Sequence, residues 1–182
     1  MFQRLFNRDR GKNQEITGAI YAAIVAAARQ PHFYSDWDVP DTPLGRFEMM
    51  SIHMILVLRR LTKGGSAEKE IAQELTDKFF TEVDHSLREL GIGDVAVPKR
   101  IKKLAKMFYG RAASYGVALE AGDKAELATA LARNVVPGQG DWPFGPQLAH
   151  YLEEAGRLLA AQSDSQLLAG NLEFPVAGAA GE

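Results

Sequence analysis

The 182-residue chain reads as an all-α protein, a compact single-domain bundle of six or seven helices. Three observations predict this class. Apolar residues recur at spacings of three and four along almost the whole chain, and no run alternates with period two. Proline and glycine cut that pattern into pieces of helix length. No unit of roughly 20–50 residues repeats, which excludes a solenoid and leaves a bundle as the simplest way to bury these faces.

The first helix is expected over Asn13–Arg29, stopped by Pro31. The segment HFYSDWDVPDTP, rich in proline, aspartate and aromatic rings, reads as an irregular connection. A second helix starts after Thr42, with Pro43 at its first position, where a missing N–H costs nothing. Leu44, Phe47, Met50, Met54, Leu58 and Leu61 form its apolar stripe, and Gly64-Gly65 end it. Ser66 is expected to cap a third helix, with Glu68 and Glu70 at its positive end. That helix should turn Ile71, Leu75, Phe79, Val83, Leu87 and Leu90 inward and stop at Gly91. After the turn GIGDVAVP, a basic helix runs from Pro98 to about Ala121, and Asp123 caps the next through Leu127, Leu131 and Val135. A Gly/Pro link, VVPGQGDWPFGP, leads to helices over Pro146–Ala161 and Asp164–Ala169. Residues 1–12 form a basic amphipathic segment, 13–170 the helical domain and 171–182 an expected flexible tail.

Composition removes several chemistries. The chain has no cysteine, so disulfides, thiolate catalysis and cysteine-ligated zinc or iron–sulfur sites are excluded. No apolar secretory core follows the basic N-terminus at once. The run Ile52–Leu58 is too short to cross a bilayer, which needs about 20 residues. The expected address is the cytoplasm, with access to a membrane surface left open.

Against a net formal charge of -2, the basic helix is unbalanced. Lys99, Arg100, Lys102, Lys103, Lys106 and Arg111 occupy it with no acidic residue among them. Solvated helices usually mix signs, because opposite charges at i,i+4 stabilise and like charges repel. The stripe is a solvated face, or it meets a polyanion such as RNA or anionic lipid, or an acidic protein surface. No RNA-binding motif or interleaved aromatic row accompanies it, and DNA is not an expected partner. At the N-terminus, Phe2, Leu5 and Phe6 lie among Arg4, Arg8, Arg10 and Lys12, the pattern of a short interfacial helix or of a segment packed on the bundle.

Signs of catalysis are few. Glu82 and His85 have the Glu-x-x-His spacing of di-iron bundles, but one copy cannot build such a centre, and surface roles are expected. His53 inside IHMILVL is expected to be buried and hydrogen-bonded, while His32, His85 and His150 have no metal-ligand spacing. No phosphate loop, nucleophile elbow or paired-carboxylate signature is present, and neither a catalytic residue nor a cofactor is assigned. Phe33, Tyr34, Trp37, Phe47, Phe108 and Tyr109, with Met50, either plug the core or line an adaptable groove for an apolar helix. Trp142, Phe144, Met49, Met54 and Met107 carry the same ambiguity.

Two blocks then resemble a known family. FYSDWDVPDTPLGRFEMMSIHMILVLRRL, from Phe33, and ELTDKFFTEVDHSLRELGIGDVAVPKRIKKLAKMFYGR, from Glu74, together look like the ubiquinol–cytochrome c chaperones. The resemblance rests on Val39-Pro40-Asp41-Thr42, Gly45-Arg46-Phe47, Arg59-Arg60-Leu61, Gly91-Ile92-Gly93-Asp94 and Phe108-Tyr109-Gly110-Arg111, among other short motifs, and covers Phe33 to Val135. It implies a helical, non-catalytic factor that helps newly made cytochrome b mature into complex III. It also implies contact with transmembrane segments of cytochrome b and with a ribosome or an anionic membrane. The expected setting is peripheral attachment to a bacterial inner membrane from the cytoplasm. The competing expectations are a helical enzyme or binding protein for a quinone or lipid, and an RNA-binding helical module.

Overall fold

The helical periodicity is realised as six long helices and two single-turn ones among the described residues. The computed structural model describes residues 2–139 and 142–178, with side chains from Gly11 onward. The helices are α1 Phe2–Ala28, α2 Pro31–Ser35, α3 Pro43–Leu61, α4 Ser66–Glu89, α5 Val97–Ala121, α6 Lys124–Val135, α7 Gly145–Ala161 and α8 Asp164–Leu167. No strand occurs among the described residues.

Helix α3 is the axis of the bundle. It packs against α1, α4, α5, α6 and α7, and every residue from Ser51 to Val57 is buried. That explains the apolar run Ile52–Leu58: it is hydrophobic all round because neighbours cover it all round. No helix of the described residues is long and apolar enough to cross a membrane.

The local signals decide most helix ends. The Thr42 hydroxyl accepts from the Gly45 N–H at 3.1 Å, and Pro43 opens α3. Asp123 caps α6 by accepting from the Glu126 N–H at 2.9 Å. Ser163 and Gln166 form a reciprocal capping box on α8. Gly122 closes α5 in the left-handed region, with φ of 64°, where a side chain would be strained. Gly45 is required for a different reason. A β-carbon there would stand 1.9 Å from the Pro40 carbonyl oxygen, so the VPDTP turn closes only on glycine.

Five expectations need correction. Helix α1 starts well before Asn13, at Phe2. The basic amphipathic reading of residues 1–12 concerns side chains that, up to Arg10, lie outside the described residues. Pro31 does not merely stop α1; it opens the single turn α2, which sets Phe33 into the core. Gly65, not Ser66, caps α4, because the Glu68 side chain folds back over Gly64-Gly65, leaving no room for a β-carbon at Gly64. Leu90, expected inside, is 58% exposed, since α4 ends one residue earlier and the chain turns outward.

The fifth correction concerns the tail, which is docked as far as it is described. Gln30 clamps it: its Oε1 accepts from the Ala177 N–H at 2.7 Å, and its Nε2 donates to the Pro175 carbonyl at 3.1 Å. Gln162 holds Glu173 in the same two-way manner. Phe174 packs edge-on against His53 at 5.2 Å, and Ala177 is buried. Residues 179–182 lie outside the described residues.

Candidate docking face and client groove

Helix α5 presents two chemically different sides. Leu104, Phe108, Arg111, Tyr115 and Ala118 follow one another at spacings of three and four and turn inward. Lys99, Arg100, Lys102, Lys103 and Lys106 lie on the other side, all exposed. No ion pair to any of these five occurs among the described residues. The other long helices do neutralise many of their exposed charges. Arg46 pairs with Asp41 at 2.6 Å, Arg60 with Asp164 at 2.6 Å, Lys78 with Glu82 at 3.2 Å, and Arg88 with Asp84 at 2.5 Å.

Arg111 does not belong to this stripe. It is buried, and its guanidinium forms a two-pronged pair with Glu48 of α3, Nη2 to Oε1 at 2.5 Å. Burial pushes the Glu48 carboxyl up to about 7, against the pull of Arg111. The signal was present in the sequence: Arg111 is three residues after Phe108 and four before Tyr115, on the inward phase. Glu48, its partner, carried no such cue.

Apolar side chains flank the cations. Val95 is 97% exposed in the turn before α5, and Leu90 precedes it. Tyr109 and Val117, 58% and 70% exposed, stand on α5 itself. Of the six large hydrophobics exposed among the described residues, Tyr109 and Val117 share α5 with the cations, and Leu90 and Val95 lie in the chain just before it.

The seven groove candidates do not form one groove. Phe33 and Trp37 lie in a cluster with His53 and Tyr151, at ring separations of 5.0 to 6.5 Å. Tyr34 is half-buried beside them and donates to the Ala28 carbonyl at 2.8 Å. Phe47 and Phe108 belong to a second cluster around Phe79 and Phe80, which reaches the surface at Tyr109. Phe33, Trp37, Phe47 and Phe108 are thus core residues in this conformation. Met50 is half-buried, and Met49 and Met54 are fully buried. Only Tyr109 of the seven is openly exposed.

His53 is closed off from chemistry. Its Nδ1 donates to the Met49 carbonyl at 2.8 Å, and its Nε2 accepts from the Tyr151 hydroxyl at 2.9 Å. That tautomer follows from the network, since the Met49 oxygen can only accept. Burial pulls the imidazole down to about 4, so it is neutral. No carboxylate hydrogen-bonds to it among the described residues. Glu82 is paired to Lys78 and His85 is exposed. No three His, Asp or Glu side chains converge as a metal requires among the described residues.

Two hollows mark the surface. One of about 510 Å³ lies between α2, α7 and the docked tail, lined by His32, Trp37, His150, Tyr151 and Glu154. The other, of about 460 Å³, lies between α5 and α6 and is lined by Lys103, Lys106 and Arg133.

The fold and surface define the class first: an all-α bundle with a packed interior and one helix face whose cations are unpaired among the described residues. The chain belongs to the ubiquinol-cytochrome C chaperone family, whose model matches residues 35–174. That match runs past Val135 to take in α7, α8 and the docked tail as far as Phe174. The fold resembles the crystal structure of the Cbp3 homolog from Brucella abortus, at 49% identity and a TM-score of 0.88, covering 96% of this chain and 97% of that one. The sequence is also similar to ubiquinol-cytochrome-c reductase complex assembly factor 1 of Xenopus laevis, 24% identical over 124 residues. The aligned region is 68% of this chain and 62% of that relative's length.

Proposed function

We propose that this chain is an assembly chaperone for ubiquinol–cytochrome c reductase that receives newly made cytochrome b at the cytoplasmic side of an inner membrane. Family membership supports the chaperone class, and the printed role of the frog relative supports the complex concerned. The observation that carries the docking part is the α5 face. Lys99, Arg100, Lys102, Lys103 and Lys106 repel one another and have no partner among the described residues, so an external anionic surface relieves them. Leu90, Val95, Tyr109 and Val117 beside them suit a lipid interface, where cations meet headgroups and apolar side chains enter the boundary. RNA would draw on the same cations but would leave three aliphatic side chains without a role. Tyr109, backed by Phe80 and Phe108, is the candidate contact for an apolar client segment.

Reversal of Lys99, Lys102, Lys103 and Lys106 to Glu should abolish co-sedimentation with anionic membranes at low salt, where exposed charges act most strongly. Undiminished sedimentation refutes the docking role. Capture from native membranes with the tagged chain should recover cytochrome b. Recovery of ribosomes without cytochrome b would favour the RNA-binding alternative.

A further inference from the structure

The hollow between α5 and α6 is more than a widening of the basic face. Lys103 and Lys106 enter it from α5 and Arg133 from α6, and no carboxylate lines it. None of these three is ion-paired among the described residues. Ser114 and Asn134 add polar atoms to the lining. The Asn134 amide N–H is already committed, to the Tyr115 hydroxyl at 3.0 Å and the Ala130 carbonyl at 2.8 Å. Arg111 also reaches the lining, but Glu48 neutralises it from behind. What remains is an open hollow whose lining includes three cationic side chains, Met107 and a serine hydroxyl.

Gly110 lines this hollow. A β-carbon there would meet nothing within 4 Å, so the space in front of it is free. A glycine in the middle of a long helix lowers helix stability by roughly 1 kcal/mol relative to alanine, and no close neighbour within the described fold requires it. Val117, exposed, stands about two turns beyond Gly110 on the same side of α5.

We propose that this hollow is a phosphate-recognition site for the glycerophosphate headgroup of an anionic membrane lipid. Lys103, Lys106 and Arg133 surround the phosphate, Arg133 as a planar fork of donors and the lysines as point charges. Ser114 donates its hydroxyl, and Val117 meets the acyl boundary. A bulk electrostatic face needs only net charge; this site needs shape as well. The proposal rests on the membrane-docking reading above, and it adds a defined ligand pocket to it.

The test separates shape from charge. Gly110→Leu fills the opening without altering charge and favours the helix. Arg133→Gln removes a cation that lies outside the α5 stripe. Arg157→Gln, exposed on α7, is the control for loss of any one charge. Binding is measured by flotation with mixed phosphatidylglycerol–phosphatidylcholine vesicles, against pure phosphatidylcholine vesicles. A second arm titrates glycerol phosphate and follows the amide resonances of Gly110, Ser114 and Asn134. Arg133→Gln should weaken vesicle binding about fivefold, and Gly110→Leu by a similar factor, while Arg157→Gln leaves it unchanged. Vesicle binding that is indifferent to Gly110→Leu and Arg133→Gln overturns the site, although the docking face would stand. Resonance shifts without any vesicle binding overturn the lipid source and the membrane reading together, leaving a free-phosphate site. Equal losses in Arg133→Gln and Arg157→Gln, with Gly110→Leu unaffected, reduce the effect to net charge and also overturn the proposal.

Discussion

The buried pair Glu48–Arg111 and the buried His53 act on stability in opposite senses. In the folded protein Glu48 titrates at about 7, above its ordinary 4.5. Between these values the folded state keeps a proton the unfolded chain has released, so this contribution falls as pH rises. His53 titrates at about 4 when folded, below its ordinary 6.5. There the unfolded chain takes a proton that the folded state refuses, so stability falls as pH drops through the window. The two slopes largely cancel between the ordinary Glu value and the ordinary His value. Urea unfolding across this range should therefore show a shallow profile for the natural chain. It should rise with pH in Glu48→Gln, where His53 acts alone, and fall with pH in His53→Gln. Parallel profiles in both variants would refute the assignment. At Gly45 the expectation is steric: Gly45→Ala forces a β-carbon onto the Pro40 carbonyl and should cost about 3 kcal/mol, seen as a lowered melting temperature. The Gly45 requirement was half legible, since PDTPLG announces a proline turn before a helix. The Glu48–Arg111 pair was not, because its partners are 63 residues apart in sequence.

At the level of the helix, α5 carries a cost that its own fold does not relieve. Lys99 and Lys103, Lys102 and Lys106, and Lys103 and Lys106 are neighbours at i,i+3 or i,i+4, and like charges at that spacing destabilise by a few tenths of a kcal/mol each. Lys103→Gln should therefore stabilise the protein by about 0.5 kcal/mol at low salt. The gain should vanish at high salt, where the repulsion is screened within a few ångströms. Thermal melts at the two ionic strengths measure this directly. A loss of stability would mean that Lys103 has a partner in the fold and is not held in reserve for an external anion. The cationic stripe was legible as a periodic pattern, and only the phase of Arg111 distinguished an inward from an outward cation.

For the whole molecule, the docked tail closes the bundle over His53. Gln30, Gln162, Phe174 and Ala177 join α1, α7 and the tail around His53 and Tyr151. Truncation after Leu172 should lower stability by about 2 kcal/mol, in the range for losing a partly buried aromatic. It should also admit water to His53, moving its imidazole titration up toward the ordinary value, a shift visible in proton NMR of the ring. An unchanged His53 titration would show that the tail covers nothing essential. The composition AGNLEFPVAGAAGE signals no order, because the clamp on Pro175 and Ala177 comes from Gln30, 145 and 147 residues away.

By itself the sequence determined the class of fold, the helix starts at Thr42-Pro43 and Asp123, and the place of the cationic face. These follow from local propensity and from the period of the apolar residues, which neighbours along the chain can set. Only the tertiary structure decided that Arg111 is neutralised by Glu48, that Phe33, Trp37, Phe47 and Phe108 sit in two separate cores, that the tail is held, and that Arg133 faces Lys103 and Lys106 across one hollow. Each of these is a meeting of side chains from different helices, and a one-dimensional pattern carries no distance between helices.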